Sequence, residues 1–157
     1  MEVRDRRTTG LAKVLPDVSA RMRTVRQRDT GLELQVRSYL HSRGVRFRVC
    51  APGLPGRPDL ANRSRGWALF VHGCFWHGHP GCRLARMPRT NTAFWARKIE
   101  ANRARDARKE HDLRELGFDV YVLWQCCVRD PDRLQTALAP IVRSPPARKR
   151  ATRRSPR

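Results

Sequence analysis

WALFVH, residues 67 to 72, is a run of five apolar residues closed by a histidine. Its length and continuous apolar character mark a buried strand. Upstream, Asn62 to Gly66 reads as a turn. Before it, the stretch APGLPGRP forces a loop, and Asp59 opens a second strand, since proline tolerates the first position of an edge strand. Val45 to Val49 alternates as a short strand. Leu32, Val36, Tyr39 and Leu40 recur at helical spacing and Gly44 follows as a stop, which predicts an amphipathic helix over 31 to 43. Downstream, residues 73 to 92 form an irregular loop, a long helix runs from 93 to 116 and stops at Gly117, and FDVYVLW, 118 to 124, makes another strand. Asp130 before Pro131 is a helix-start signature, and that helix runs to 142. Helices and strands alternate with no internal repeat, so the fold class is α/β.

Composition narrows the partners. The chain has 157 residues and is 39% hydrophobic, which fits one compact domain over 30 to 142, expected to act as a monomer, with a basic arm over 1 to 29 and a disordered basic tail over 143 to 157. Its 34 Lys and Arg against 14 Asp and Glu give a formal charge of +20, far beyond what solubility needs, and point to a polyanion, with nucleic acid the default. Five cysteines do not form an even disulfide set, and the start of the chain has no apolar signal region, so a reducing cytoplasm is expected. No apolar stretch approaches the ~20 residues needed to span a bilayer.

Four local features carry chemistry. In HGCFWHGHPGC, residues 72 to 82, Cys74, His79 and Cys82 lie close enough to clamp one metal, and a fourth ligand is needed from Cys126 or Cys127. A structural zinc takes four such ligands in a tetrahedron, and spacing alone leaves His77 and His79 as alternatives. In the long helix, Trp95, Ile99, Asn102, Asp106, Leu113 and Leu116 fall on one stripe, so Asp106 is a buried carboxylate that requires a partner, a histidine or a neighbouring arginine. Asp59 and His72 flank a shared cavity in which magnesium would suit a carboxylate and a backbone carbonyl. Finally, Phe75 and Trp76 inside a polar loop, with Trp95 opening the next helix, are candidate wedges between base pairs, or else caps on the core.

Taken together, LPGRPDL, FVHGCFWHGHPGC, AFWARKIEANRARD and VLWQC resemble four motifs of the Vsr, or very short patch repair, endonucleases, in that family's order, over roughly Met22 to Val142. The resemblance implies a restriction-endonuclease-like fold of the PD-(D/E)xK type, a mixed central sheet flanked by helices with a structural zinc loop. It also implies cleavage 5′ of the thymine in T:G mismatches, which arise when 5-methylcytosine deaminates. On the matching positions it implies Asp59 and the backbone carbonyl of Val71 as magnesium ligands, and His77 as the histidine that handles the attacking water. Asp106 orients His77, His72 is a second active-site histidine, and Glu33 is an acid near the metal waters. The implied zinc ligands are Cys74, His79, Cys82 and Cys126, and the implied DNA-contacting residues are Phe75, Trp76, Trp95 and Met22. Two departures are a Cys/His loop longer by one residue and Gln125 where glutamate is usual; Val71 replaces a threonine, a change that a carbonyl ligand tolerates.

The expected function is therefore magnesium-dependent nicking of one strand of a T:G duplex by a cytoplasmic enzyme, nucleoid-associated when bound to DNA, leaving 3′-hydroxyl and 5′-phosphate ends. Two other classes compete with it. A zinc-stabilised, non-catalytic DNA-binding protein would need Asp59, His77 and Asp106 only for structure. An RNA-binding basic protein would need stacking aromatics on an exposed sheet or loops.

Overall fold

A computed structural model describes residues 30–144. The expected basic arm, with Met22, and the tail beyond residue 144 lie outside the described residues. The described elements are α1 (Gly31–Ser42), β1 (Arg48–Val49), β2 (Leu60–Asn62), β3 (Trp67–His72), α2 (Thr92–Glu115), β4 (Asp119–Trp124), α3 (Gln125–Val128) and α4 (Pro131–Arg143), with a single 3-10 turn at Arg83–Ala85.

The strands form one sheet in the order β1-β2-β3-β4. β1 and β2, and β2 and β3, pair antiparallel, while β3 and β4 pair parallel from Trp67↔Asp119 to His72↔Trp124. A parallel pair needs a long crossover, and the loop after β3 followed by α2 supplies it. The result is the expected mixed sheet with flanking helices.

Alternation along β3 divides the core. Trp67 and Leu69 join Val36 and Leu40 of α1 and Leu134, Leu138 and Ile141 of α4 on one face. Ala68 and Phe70 join Ala51, Leu54, Ala61 and Leu113 of α2 on the other. β3 is continuously apolar because both faces are covered.

Helix ends follow local chemistry. Asp130 caps α4 by accepting from the N–H groups of Asp132 and Arg133, with Pro131 in the first turn. α2 closes in a Schellman arrangement, with Gly117 N–H donating to the Arg114 carbonyl and Phe118 N–H to the Leu113 carbonyl; Gly117, at φ 82°, supplies the left-handed turn. Because the helix stops at Glu115, Leu116 leaves the apolar stripe and is 49% exposed, contrary to expectation.

Three further expectations shift. The strand over Val45 to Val49 shortens to Arg48–Val49, because β2 offers pairing partners only at Leu60 and Ala61. Asp59 sits just ahead of β2, with its carbonyl accepting from Cys50 N–H at 3.0 Å. The short helix α3 had no sequence signature, since it continues an apolar run without a cap.

Candidate active site and metal centre

The C-terminal end of β3 is where α1, the loop after β3, and α2 converge. His72, the last strand residue, is buried, and its ring lies parallel to that of His77 with centroids 3.9 Å apart. His77 is set by a tight loop in which its N–H donates to the Gly73 carbonyl and that of His79 to the Cys74 carbonyl. The loop is seated on α2. Gly78, at φ 62°, lies so close that a β-carbon there would stand 2.5 Å from Ile99 Cγ2. Asn102 Nδ2 donates to the Trp76 carbonyl at 2.7 Å, which gives the polar residue on the helix stripe its partner.

The same seating brings His77 Nδ1 to 2.5 Å from Asp106 Oδ2. Burial opposes ionisation of Asp106, but the His77 hydrogen bond and the positive charges around it outweigh that and hold the carboxyl below its ordinary range. An ionised carboxylate only accepts, so Nδ1 carries the proton, and in the neutral ring that tautomer leaves the lone pair on Nε2. His72 is pushed down to about 4, first by burial and then by the neighbouring His77, so it is uncharged at neutral pH. Lys109 Nζ lies 3.5 Å from the other oxygen of Asp106.

Asp59 Oδ2 accepts from Val71 N–H at 2.7 Å. In an extended strand the N–H and C=O of one residue face the same edge, so the Val71 carbonyl is directed to the side on which Asp59 lies. Burial raises Asp59 to about 6, opposed by the Val71 hydrogen bond and assisted by the Glu33 carboxylate. Glu33 itself is 5% exposed, with Oε1 accepting from Thr30 and Oε2 from Arg37 at 3.0 Å. The i+4 pair with Arg37 therefore exists, but it is not a surface pair. Half-buried Asp59 and buried Glu33 are close enough for one to feel the other's charge, and with the Val71 carbonyl they offer oxygen donors only, the kind a hard divalent cation takes. Asp59 is not part of the cluster in which the donor atoms of His72, His77 and Asp106 lie within 4.8 Å of one another, although it senses the charge of His77.

A second cluster sits on the other side of the loop. Cys74, His79, Cys82 and Cys126 each present a ligand atom, all within 4.8 Å of one another. His79 Nδ1 is 3.5 Å from Cys74 Sγ and 3.4 Å from Cys126 Sγ, and its ring stacks on Trp124 at 4.2 Å. Burial pushes the Cys74 thiol up to about 12, whereas the backbone N–H of Leu84 leads in lowering Cys82. Three sulfurs and one imidazole at this spacing fit tetrahedral zinc. Of the alternatives that spacing left open, His79 and Cys126 lie in the cluster, while His77 faces Asp106 and Cys127 packs against the core.

The aromatic residues meet beside this loop. Phe75 and Trp76 are half-buried and stand edge to face, each also contacting Trp95, with centroids 5.3 and 6.1 Å apart. Trp95, 6% exposed, forms the base of the group. Phe94, which the helix stripe did not single out, extends it with 39% of its surface exposed. Sequence reasoning gave no role to Lys109 or Trp124 and noted Gln125 only as a departure; its Oε1 accepts from Cys74 N–H, a neighbour too distant in the chain for a local pattern to announce.

The family model described as DNA mismatch endonuclease Vsr matches residues 16–83. The chain is 50% identical over 121 residues to the type II nicking enzyme V.XorIIP of Xanthomonas oryzae pv. oryzae, covering 77% of this chain and 88% of that one. It is 42% identical over 116 residues to the DNA mismatch endonuclease Vsr of Escherichia coli, covering 74% of each. This chain belongs to the Vsr family. A third Vsr-like relative, the type II nicking enzyme V.NmeAIP of Neisseria meningitidis, is 34% identical over 122 residues, covering 78% of this chain and 86% of that one. The Vsr match spans β3 and the first three cysteine and histidine positions of the zinc-type cluster, and the longer alignments extend well beyond it.

Proposed function

We propose that this chain is a DNA mismatch endonuclease that nicks one strand 5′ of the thymine in a T:G mismatch, as the first step of very short patch repair. The observation that carries the reading is the His77–Asp106 pair, held by a loop and a helix beside His72 at the end of β3, the strand whose Val71 N–H binds Asp59. The charge of +20 supplies sequence-independent attraction to duplex DNA. Phe75 and Trp76, standing on Trp95, are the wedge, because unstacking is least costly where pairing is already weak.

Asp59 and the Val71 carbonyl would hold Mg²⁺, with Glu33 behind them, and when bound that ion supplies charge neutralisation at the scissile phosphate. Cys74, His79, Cys82 and Cys126 would hold Zn²⁺, which fixes the loop that carries His77. His77 Nε2 takes a proton from the attacking water, and Asp106 keeps Nδ1–H in place and stabilises the imidazolium that forms. His72, uncharged and stacked on His77, holds that ring in plane without competing for the proton. In-line attack at phosphorus breaks the bond to the 3′ oxygen and leaves a 3′-hydroxyl and a 5′-phosphate.

The enzyme is expected to act as a monomer on cytoplasmic, nucleoid-associated DNA, and no helix among the described residues is long and apolar enough to cross a membrane. The test is a panel of duplexes carrying each mismatch, incubated with and without magnesium. Nicking confined to T:G and to the magnesium samples supports the reading. Binding with no nicking on any duplex overturns it in favour of a zinc-stabilised DNA-binding protein.

A further inference from the structure

Six arginines, at 43, 46, 48, 57, 63 and 65, fall within a segment whose single acid is Asp59, already bonded to Val71 N–H. Arg46, Arg48 and Arg63 line an open groove of about 790 Å³ along the outer edge of the sheet, together with Pro52, Ala61 and Asn62. Arg46 and Arg48 are exposed and pair with no carboxylate among the described residues. Their segment is held in place. Asn62 Nδ2 donates to the Arg46 carbonyl at 2.7 Å, and Arg63 donates to the Pro52 carbonyl at 2.8 Å across the groove. Phe47 stacks on His41 with centroids 4.5 Å apart.

Edge strands are often guarded by a charge or two against pairing with other chains. A set of three uncompensated guanidinium groups lining a formed groove goes beyond that need and fits a polyanion. Its position identifies which one. Arg48 stands opposite Ala61, and residues directly opposite in an antiparallel pair project to one face. Ala61 belongs to the layer under α2, the layer of Ala68 and Phe70, and by alternation His72 is on that face too. The groove and the catalytic end of β3 therefore open on the same side of the sheet.

We infer that this groove is a second DNA-binding surface, which grips the phosphate backbone of the duplex flanking the mismatch through Arg46, Arg48 and Arg63. The inference rests on the duplex-endonuclease reading but assigns a site separate from the catalytic one. Duplex laid across the α2 face with its scissile phosphate near His77 would continue over the β1 edge, where the arginines contact sugar-phosphate without reading bases.

The experiment measures affinity for a matched duplex against salt, using a long duplex and one just wide enough for the mismatch site. The proteins are wild type, Arg46→Gln/Arg48→Gln and Arg46→Lys/Arg48→Lys. On the long duplex the glutamine variant should lose about 2 from the slope of log affinity against log salt, at ~0.9 per phosphate contact, and the lysine variant should keep the wild-type slope. On the short duplex all three slopes should agree. Equal slopes on the long duplex, with wild type binding normally, would overturn the groove and leave the endonuclease reading standing. If the glutamine variant at the same time lost retention on poly-glutamate, the surface would belong to an acidic protein. Wild type without salt-dependent duplex affinity would overturn both.

Discussion

His77 and Asp106, 29 positions apart, meet with Nδ1 2.5 Å from Oδ2, because Gly78 lets the intervening loop settle on α2. This contact sets the tautomer of His77 and so decides which nitrogen is free to accept a proton. Asp106→Asn keeps the shape but can present an N–H to the ring, which would favour the wrong tautomer. Single-turnover nicking should fall by about 10²–10⁴-fold. A rate near that of wild type would remove Asp106 from its role.

The same carboxylate makes a prediction about acid. Its folded-state value lies below the ordinary 3.8, so its contribution to stability is present above the unfolded value and is lost as pH falls through the folded one. Melting temperature measured from neutral pH down to strongly acid pH should therefore drop more steeply for wild type than for Asp106→Asn. Parallel curves would mean that Asp106 gains nothing from its surroundings.

Gly78→Ala tests the seating of the loop. A β-carbon would stand 2.5 Å from Ile99 Cγ2 on a backbone at φ 62°. The strain alone costs about 1–3 kcal/mol, and the clash would lift His77 from Asp106. Both melting temperature and nicking rate should fall. A variant as stable and active as wild type would show that the loop is not held by this contact.

Zinc content separates the five cysteines. Cys74→Ser, Cys82→Ser and Cys126→Ser should each lower bound zinc and the melting temperature, since a structural site contributes its binding energy to folding. Cys50→Ser and Cys127→Ser should keep full zinc. A normal zinc content in Cys126→Ser would break the four-ligand set.

The strand and helix order was legible because β3 and α2 carry long, unambiguous patterns: an apolar run in Trp67–His72 and a stripe ended by Gly117. The choice between His77 and His79 was not, since both sit in a loop without periodicity and only packing on α2 separates them. The burial of Glu33 was equally hidden, because an arginine at i+4, Arg37, is what an exposed helix pair also shows. Asp106 was readable from its place on the apolar stripe, but nothing local named its partner. Lys109 and Phe94 lie beside Asp106 and Trp95 on the same helix, but a lysine three residues from an acid and a phenylalanine next to a tryptophan are too common to single out.

The aromatic group divides into a base and a tip. Trp95→Ala, removing a side chain only 6% exposed, should cost about 3–5 kcal/mol of stability. Phe75→Ala with Trp76→Ala, removing half-buried rings, should instead lower the ratio of mismatched to matched cleavage while duplex affinity holds. A lowered melting temperature with an unchanged ratio would refute the wedge.

The most direct test is to map the cut on an end-labelled duplex with a single T:G mismatch, using wild type and Asp59→Asn in magnesium. Wild type should leave one nick immediately 5′ of the mismatched thymine, with 3′-hydroxyl and 5′-phosphate ends, and none on the matched duplex. Asp59→Asn should bind and leave the strand intact. Equal cutting of matched and mismatched duplex, or undiminished cutting by Asp59→Asn, would contradict the proposed site and its substrate.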